Sequence, residues 1–239
     1  MALATPAIVL SSIKYGDNSL IVRLYGRETG LLQCMLKGIL GRRKGKLSPG
    51  LFQPLSQLEV IAVPGRNGKL GYLKEATLGI PYTTIPTDIH KSAIAIFLAE
   101  TLSQSLREEA PDPMLYQYIQ SALSWLDGSN PIANFHVLFL IGLTRYLGFY
   151  PDDSHQEGGY FDMAEGAFTT YPPAGPGMSG EQVSLFRQLL GINFDSIETV
   201  KMNKIQRREL LRALVNYYEI HLQGFRKPRS LDVLDEVFS

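Results

Sequence analysis

Cysteine is almost absent from this chain. Cys34 is the only one among 239 residues. A disulfide within the chain is therefore excluded, which is typical of proteins that fold in a reducing compartment. A zinc site built from several cysteines is excluded for the same reason. Because Cys34 lies within an apolar stretch, we expect it to be a buried core residue.

Long apolar runs and a basic leader are also missing. The most apolar run, FHVLFLIGL at 135–143, is shorter than the ~18 residues that a membrane span needs, so it predicts a buried helix. In the opening sequence MALATPAIVLSSIKY, no basic segment precedes the apolar one, so we expect no signal peptide. These features predict a cytoplasmic protein.

The common motifs of catalysis and metal binding are missing as well. The sequence contains no Walker A loop, no GxSxG and no HExxH, which are the patterns that position phosphate, a nucleophile or zinc. His155 lies among Asp152, Asp153 and Glu157, but one histidine with carboxylates is a poor set of zinc ligands. We therefore predict that the chain is not an enzyme and carries no cofactor and no metal.

The charge is balanced over the whole chain but not along it. The chain has 23 Lys and Arg and 23 Asp and Glu, yet residues 1–80 contain 11 of these cations and only 4 of these acids. Residues 81–239 hold the remainder and are acidic by the same margin. Such asymmetry indicates two parts with different partners, and a basic part most often binds phosphate, usually that of nucleic acid.

The basic residues concentrate in KGILGRRKGKLSPGLFQPLSQLEV, residues 37–60, which contains no acid before Glu59. Glycines surround the cations, which lets the backbone approach a surface closely. The predicted DNA-binding residues of this segment are Lys37, Arg42, Arg43, Lys44 and Lys46, and the turn that follows the next strand adds Arg66 and Lys69. The alternative is a solvated loop that keeps an edge strand soluble.

Residues 1–80 predict five short strands. The apolar segments 7–15, 19–26, 30–38, 55–63 and 69–78 are separated by turn signals such as GDN and GRETG. Five strands in about 80 residues fit a compact antiparallel barrel of the OB type. Four aromatic residues of this part are candidates for base stacking or, alternatively, for the barrel core: Tyr15, Tyr25, Phe52 and Tyr72.

Residues 81–239 predict a helical domain, so the fold class is α+β with two domains. A proline at the second position and a glycine at the last position predict helices over 112–128 and 130–148. An acidic, Gly- and Pro-rich stretch at 149–178 is expected to be a long irregular insertion. In the last long helix, 203–224, Lys204, Arg208 and Arg212 share one face. That row is either an extension of the DNA-binding surface or a solvated helix face.

Taken in order, these segments resemble the RecO family of recombination mediator proteins. The most specific match is 37–60, in which Lys37-Gly38, the basic cluster 42–46 and the sequence LFQP at 51–54 are similar to the family signature. AIVLSSIKYGDNSLIVRLYGRETG, FHVLFLIGLTRYLGFYP and the segment LLRALVNYYEIHLQG resemble the family's opening, its central helix and its closing part. The likeness covers nearly the whole chain.

The resemblance implies a function and partners. RecO-like proteins bind single- and double-stranded DNA, anneal complementary strands, and work with RecR and the C-terminal tail of single-strand DNA-binding protein to help load RecA. The implied place is the nucleoid. Many members carry a four-cysteine zinc site in the part that matches 149–178, where this chain has no cysteine. The insertion is therefore expected to resemble a zinc-finger segment that has lost its metal.

Two other functions fit the charge pattern. A basic OB domain is also typical of RNA-binding proteins, and composition does not separate RNA from DNA. A cationic loop is also able to hold an acidic protein tail, which would make the chain an adaptor.

Overall fold

The computed structural model describes residues 2–41, 47–65, 69–106, 110–153 and 157–238. By internal packing the chain divides into two compact units, Met1–Asp127 and Gly128–Ser239. The first unit contains five strands followed by helices, as the sequence predicts. The change from strands to helices does fall near residue 80, but the compact units divide further along the chain.

Five antiparallel strands form the sheet of the first unit: β1 (Leu3–Tyr15), β2 (Ser19–Gly26), β3 (Gly30–Leu36), β4 (Gln57–Val63) and β5 (Tyr72–Ile80). Their order is β3-β2-β1-β4-β5, so β1 lies at the centre. In β2 and β3 every second side chain is buried, which follows from the two-residue period of a strand. Val22, Leu24 and Cys34 therefore enter one apolar core, and the prediction for Cys34 is confirmed.

The two edge strands of the sheet meet at a single point. Cys34 and Gly71 form a parallel bridge, in which the Gly71 amide donates to the Gln33 carbonyl at 2.8 Å and the Met35 amide donates to the Gly71 carbonyl at 2.9 Å. A Cβ atom on Gly71 would lie 2.5 Å from the carbonyl oxygen of Val63, so only glycine fits there. One bridge is not a ladder, and the sheet is not closed into a barrel. The structure therefore confirms the α+β class and the five-stranded antiparallel sheet, but only part of the predicted barrel.

Two helices complete the first unit, α1 (Ile89–Ser105) and α2 (Pro113–Gly128). The Asp88 side chain accepts hydrogen bonds from the first amides of α1, and Asp112 does the same for α2, as expected of N-cap residues. Arg23 of β2 donates to the carbonyls of Ser103 and Leu106 at 2.7 and 2.6 Å. This contact satisfies the C-terminal end of α1 and holds that helix against the sheet.

The Asp127 carboxylate fixes the segment between the sheet and α1. It accepts hydrogen bonds from the backbone amides of Thr83, Thr84 and Ile85, each at 2.8 Å. The buried Lys91 ammonium donates to the Asp127 carbonyl at 3.0 Å. Burial by itself would raise the pKa of the Asp127 carboxyl, but the amide hydrogen bonds outweigh burial and hold that pKa well below its usual range.

The second unit contains four helices of eight or more residues within the described ranges: α3 (Phe135–Leu147), α4 (Gly180–Leu189), α5 (Lys204–His221) and α6 (Ser230–Val237). Helix α3 is buried over most of its length, as its apolar sequence predicts. The predicted start at Asn130 is wrong, because the chain first forms a turn in which the Phe135 amide donates to the Ile132 carbonyl. No helix in the described residues has the length and apolarity to cross a membrane.

The 149–178 segment contains three short antiparallel strands, β6 (Tyr160–Asp162), β7 (Ala167–Thr169) and β8 (Gly177–Ser179), in the order β7-β6-β8. The fully buried Phe161 lies at the centre of an aromatic cluster. Its ring centroid is 5.2 Å from Phe168, 4.9 Å from Phe186 on α4 and 5.7 Å from Tyr217 on α5, all edge-on. Aromatic packing therefore holds this segment to two helices.

Candidate nucleic-acid interface

The described part of the basic segment begins where β3 ends. Lys37 is exposed and directly follows β3. Gly38 has a φ of 71°, a conformation that suits glycine, and its carbonyl accepts the Gly41 amide at 3.0 Å. The Leu40 amide donates to the Asn18 carbonyl at 3.0 Å. The start of the basic segment is thus fixed against the β1–β2 turn.

A groove of about 700 Å³ lies where β3 and the start of β5 approach each other. Its described lining comes from the end of β3 with the turn after it, from Leu47 and from the segment that enters β5: Met35, Leu36, Lys37, Gly38, Ile39, Leu47, Lys69, Leu70, Gly71, Tyr72, Leu73 and Lys74. The Cys34–Gly71 bridge joins the two segments that form the walls of this groove. We call this set of residues the basic groove.

Three lysines line the basic groove and none of its described lining residues is acidic. Lys37, Lys69 and Lys74 are exposed. Each lacks an ion-pair partner among the residues that the structure describes. Unpaired ammonium groups along a groove attract polyanions and release counterions on binding.

The four candidate aromatic residues divide into two pairs. Tyr25 and Phe52 are each only 2% exposed and belong to the core of the first unit. Tyr15 and Tyr72 are 55% and 50% exposed, and Tyr72 also lines the basic groove. Base stacking therefore remains open for Tyr15 and Tyr72 and is ruled out by burial for the other two.

Several predicted DNA-binding residues lie outside the described residues: Arg42, Arg43, Lys44, Lys46 and Arg66. Their role remains a prediction. The structure does bring Lys37 and Lys69 together at the basic groove, although they are 32 positions apart in the chain. It also adds Lys74, which our sequence reasoning missed. The available signal was the position of Lys74 in the predicted strand 69–78, two residues after the candidate Tyr72.

The cations of α5 have different surroundings. Lys204, Arg208 and Arg212 are exposed on the face opposite the buried side chains of that helix. Arg212 donates to the Asp235 carboxylate of α6 at 2.7 Å. Lys204 and Arg208 make no ion pair with any described residue. Two of the three predicted cations of this row are therefore available, and one is already neutralised.

A shallow depression runs beside Lys204 and Arg208. Apolar side chains of Leu211, Leu234 and Phe238 line it together with His136, Arg207 and Asp235. Burial, and then the nearby Arg207, lower the pKa of His136 to about 3. The imidazole is therefore neutral at physiological pH, and the positive charge at this depression comes from the lysine and the arginines.

The described part of the chain offers no cluster of metal-ligating side chains. Its residues contain no group of three or more His, Cys, Asp or Glu side chains that could hold an ion. His155 lies outside the described residues. Burial raises the pKa of the Cys34 thiol to about 12, which favours the protonated thiol over the thiolate at neutral pH.

Comparison with known proteins covers the whole chain. The family model described as "Recombination protein O N terminal" matches residues 1–81, and the one described as "Recombination protein O C terminal" matches residues 86–231. The DNA repair protein RecO of Christiangramia forsetii is 42% identical over 238 residues, and that of Flavobacterium johnsoniae is 41% identical over 239 residues. The RecO of Bacteroides fragilis is 38% identical over 242 residues, and each of these alignments covers 100% of both chains. These matches confirm the resemblance seen in the sequence: the chain belongs to the RecO family of DNA repair proteins.

Proposed function

We propose that this protein is a non-enzymatic mediator of recombinational DNA repair. It binds single- and double-stranded DNA, anneals complementary strands and, together with RecR, helps to load RecA onto DNA that is coated with single-strand DNA-binding protein. Its place of action is the cytoplasm, at the nucleoid. Family membership supports the repair role, and the basic groove supports direct contact with DNA.

The observation that carries the proposal is the set of unpaired lysines at the basic groove. Lys37 and Lys69 come from the two edges of the sheet and flank the segments that hold the remaining predicted cations. Two complementary strands repel each other through their phosphates. A surface with many unpaired cations screens that repulsion, so annealing needs neither a reactive group nor a nucleotide.

We interpret residues 1–80 as an OB-like barrel. Its five-stranded antiparallel sheet curves far enough for the edge strands to meet at Cys34 and Gly71. OB domains bind nucleic acid strands with the same combination of a curved sheet and variable basic loops.

The dependence of DNA affinity on salt tests the proposal. If about five phosphates are neutralised, log affinity for a single strand should fall against log salt with a slope of about −3.5. Replacing Arg42, Arg43, Lys44 and Lys46 by alanine should weaken binding and reduce the magnitude of that slope. An unchanged slope and affinity would refute the assignment of this segment.

A matched control separates local contacts from total charge. Four exposed cations outside the candidate set, Lys201, Arg226, Lys227 and Arg229, are replaced by alanine in the control variant. Both variants lose the same number of positive charges. The control should keep the native slope, because its cations are not at the proposed interface.

The depression on α5 favours a partner-binding role for the second unit. The exposed Lys204 and Arg208 stand beside the half-buried Phe238, and Leu211 and Leu234 next to them are buried. Two cations beside an aromatic ring fit a peptide with acidic and apolar residues. We propose the C-terminal tail of single-strand DNA-binding protein as that peptide. Replacing Lys204 and Arg208 by glutamate should abolish binding of a labelled tail peptide. If the peptide still binds, the tail is held elsewhere.

The remaining alternatives are tested in the same titrations. Equal affinity for RNA and DNA oligonucleotides of the same sequence would favour the RNA-binding alternative. Binding of an acidic peptide at the cationic segment without competition from DNA would favour the adaptor alternative.

A further inference from the structure

The basic groove combines two surfaces of different chemistry. Its floor is apolar: Leu36 and Leu73 are 4% and 7% exposed, and Ile39 and Leu47 pack against the same core. Its rim carries the three exposed lysines described above. A ligand that fills it therefore needs both apolar surface and negative charge.

Tyr72 lies where these two surfaces meet. It is the first residue of β5, it lines the groove, and half of its side chain is exposed. The next residue, Leu73, is buried in the core, whereas Tyr72 and Lys74 on either side of it are exposed. An exposed ring beside an apolar floor and a cation is the arrangement on which nucleic acid bases stack.

We propose that the basic groove receives unpaired bases of a single DNA strand, with Tyr72 as the stacking partner and the lysines on the flanking phosphates. This inference rests on the proposed function and deepens it, because it assigns a preference for single strands to one residue. In a duplex the bases are paired and stacked inside the helix, so a duplex reaches only the lysines at the rim. The groove volume of about 700 Å³ lies in the range of about 300–1,000 Å³ that is typical of sites for small organic groups.

The test compares single-strand and duplex affinity in Tyr72 variants by fluorescence anisotropy. Tyr72→Ala should weaken binding of a labelled oligothymidylate by about 5- to 150-fold, the range that follows from one lost base–aromatic stack. Its affinity for a duplex of the same length should stay at the native value. Tyr72→Phe should keep both affinities, because the ring and not the hydroxyl carries the stacking.

Tyr171→Ala is the matched control. Tyr171 is an exposed tyrosine of the second unit that lies outside the candidate set and is not among the residues that line the groove. Its replacement should leave the preference for single strands unchanged. Equal losses for Tyr171→Ala and Tyr72→Ala would overturn the proposal, since stacking would then not be specific to the groove.

An abasic oligonucleotide provides a second readout that needs no variant. The native protein should bind the abasic strand more weakly than oligothymidylate, and Tyr72→Ala should bind the two equally. If the native protein binds both strands with the same affinity, the inference is wrong while DNA binding itself stands. If the native protein binds none of these oligonucleotides, the proposed function fails, and the inference fails with it.

Discussion

The most direct test of the fold concerns Asp127, whose carboxylate joins three successive amides before α1. Its Oδ1 accepts from Thr84 and Ile85, and its Oδ2 accepts from the amide and the hydroxyl of Thr83. Asp127→Ala removes the acceptor for all of them. We expect this variant to have a markedly lower free energy of unfolding of the first unit.

The size of the effect follows from the exposure of the three donors. Thr83 is exposed, so water replaces the lost acceptor there. Thr84 is half-buried and Ile85 is buried, and an unsatisfied buried amide costs about 1–3 kcal/mol. The two amides together give an expected loss of about 2–6 kcal/mol. Asp127→Asn keeps one oxygen for them, so its loss should be smaller, at about 0.5–1.5 kcal/mol.

Urea denaturation followed by tryptophan fluorescence measures this loss. Trp125 is the only tryptophan of the chain and lies in α2, within the first unit. Its emission therefore reports on the unit that Asp127 stabilises. Glu75→Ala is the control, because Glu75 is an exposed carboxylate of β5 without a hydrogen bond among the described residues. If the alanine variants of Asp127 and Glu75 lose the same stability, the reasoning is refuted.

The pH dependence gives an independent check of the same carboxylate. Its pKa is lowered in the folded chain, so its contribution is fully present above the unfolded value of about 3.9. That contribution is lost as the pH falls from there through the folded pKa. Native protein should lose this stability below about pH 4, whereas Asp127→Asn should lack that component.

Two further predictions concern the second unit. Phe161→Ala should lower the stability of this unit by about 3–5 kcal/mol, the usual effect of removing a buried phenyl ring. If aromatic packing and not a metal holds the 149–178 segment, a chelator should leave the melting temperature of the native protein unchanged. Melting curves followed by circular dichroism, with and without EDTA, check both expectations. His136 has a folded pKa of about 3, below its unfolded value of about 6.5, so stability should fall by about 1.4 kcal/mol per pH unit below about pH 6.5 as only the unfolded chain takes up the proton. His136→Phe should remove that slope between about pH 6 and 5, and a slope that persists in the variant would assign it to another group.

Local sequence signals predicted much of the fold. The five strands, the helix predicted over 112–128 and the buried helix α3 follow from alternation, from proline and glycine at helix ends, and from apolar content. Asn130-Pro131 misled the prediction of the α3 start, because a cap residue followed by proline is also compatible with a turn that precedes a helix. Ser179 and Gln182 also have the spacing of a capping box, which predicts a helix start at this point. Ser179 precedes α4 but makes no side-chain cap hydrogen bond, and Gln182 donates instead to the Glu209 carbonyl.

The positive charge of the candidate site could be predicted from the sequence, but its shape could not. Composition alone indicated that the first 80 residues attract a polyanion, because their excess of cations is visible in the sequence without knowledge of the fold. Which aromatic residues are exposed was undecided, because a shift of one residue in strand register exchanges the two faces of a strand. The register of β5 left Tyr72 exposed, and the packing of the first unit buried Tyr25 and Phe52.

The sequence by itself determined the family, the order of strands and helices, the basic character of the first 80 residues and the absence of cysteine from 149–178. The tertiary structure alone decided that the sheet edges meet at one bridge, that Lys37, Lys69 and Lys74 line one groove, and that an aromatic cluster surrounds Phe161. The physical reason is the same in each case. Capping, alternation and charge are properties of neighbours along the chain, whereas a groove or a cluster depends on the distance between residues that only folding brings together.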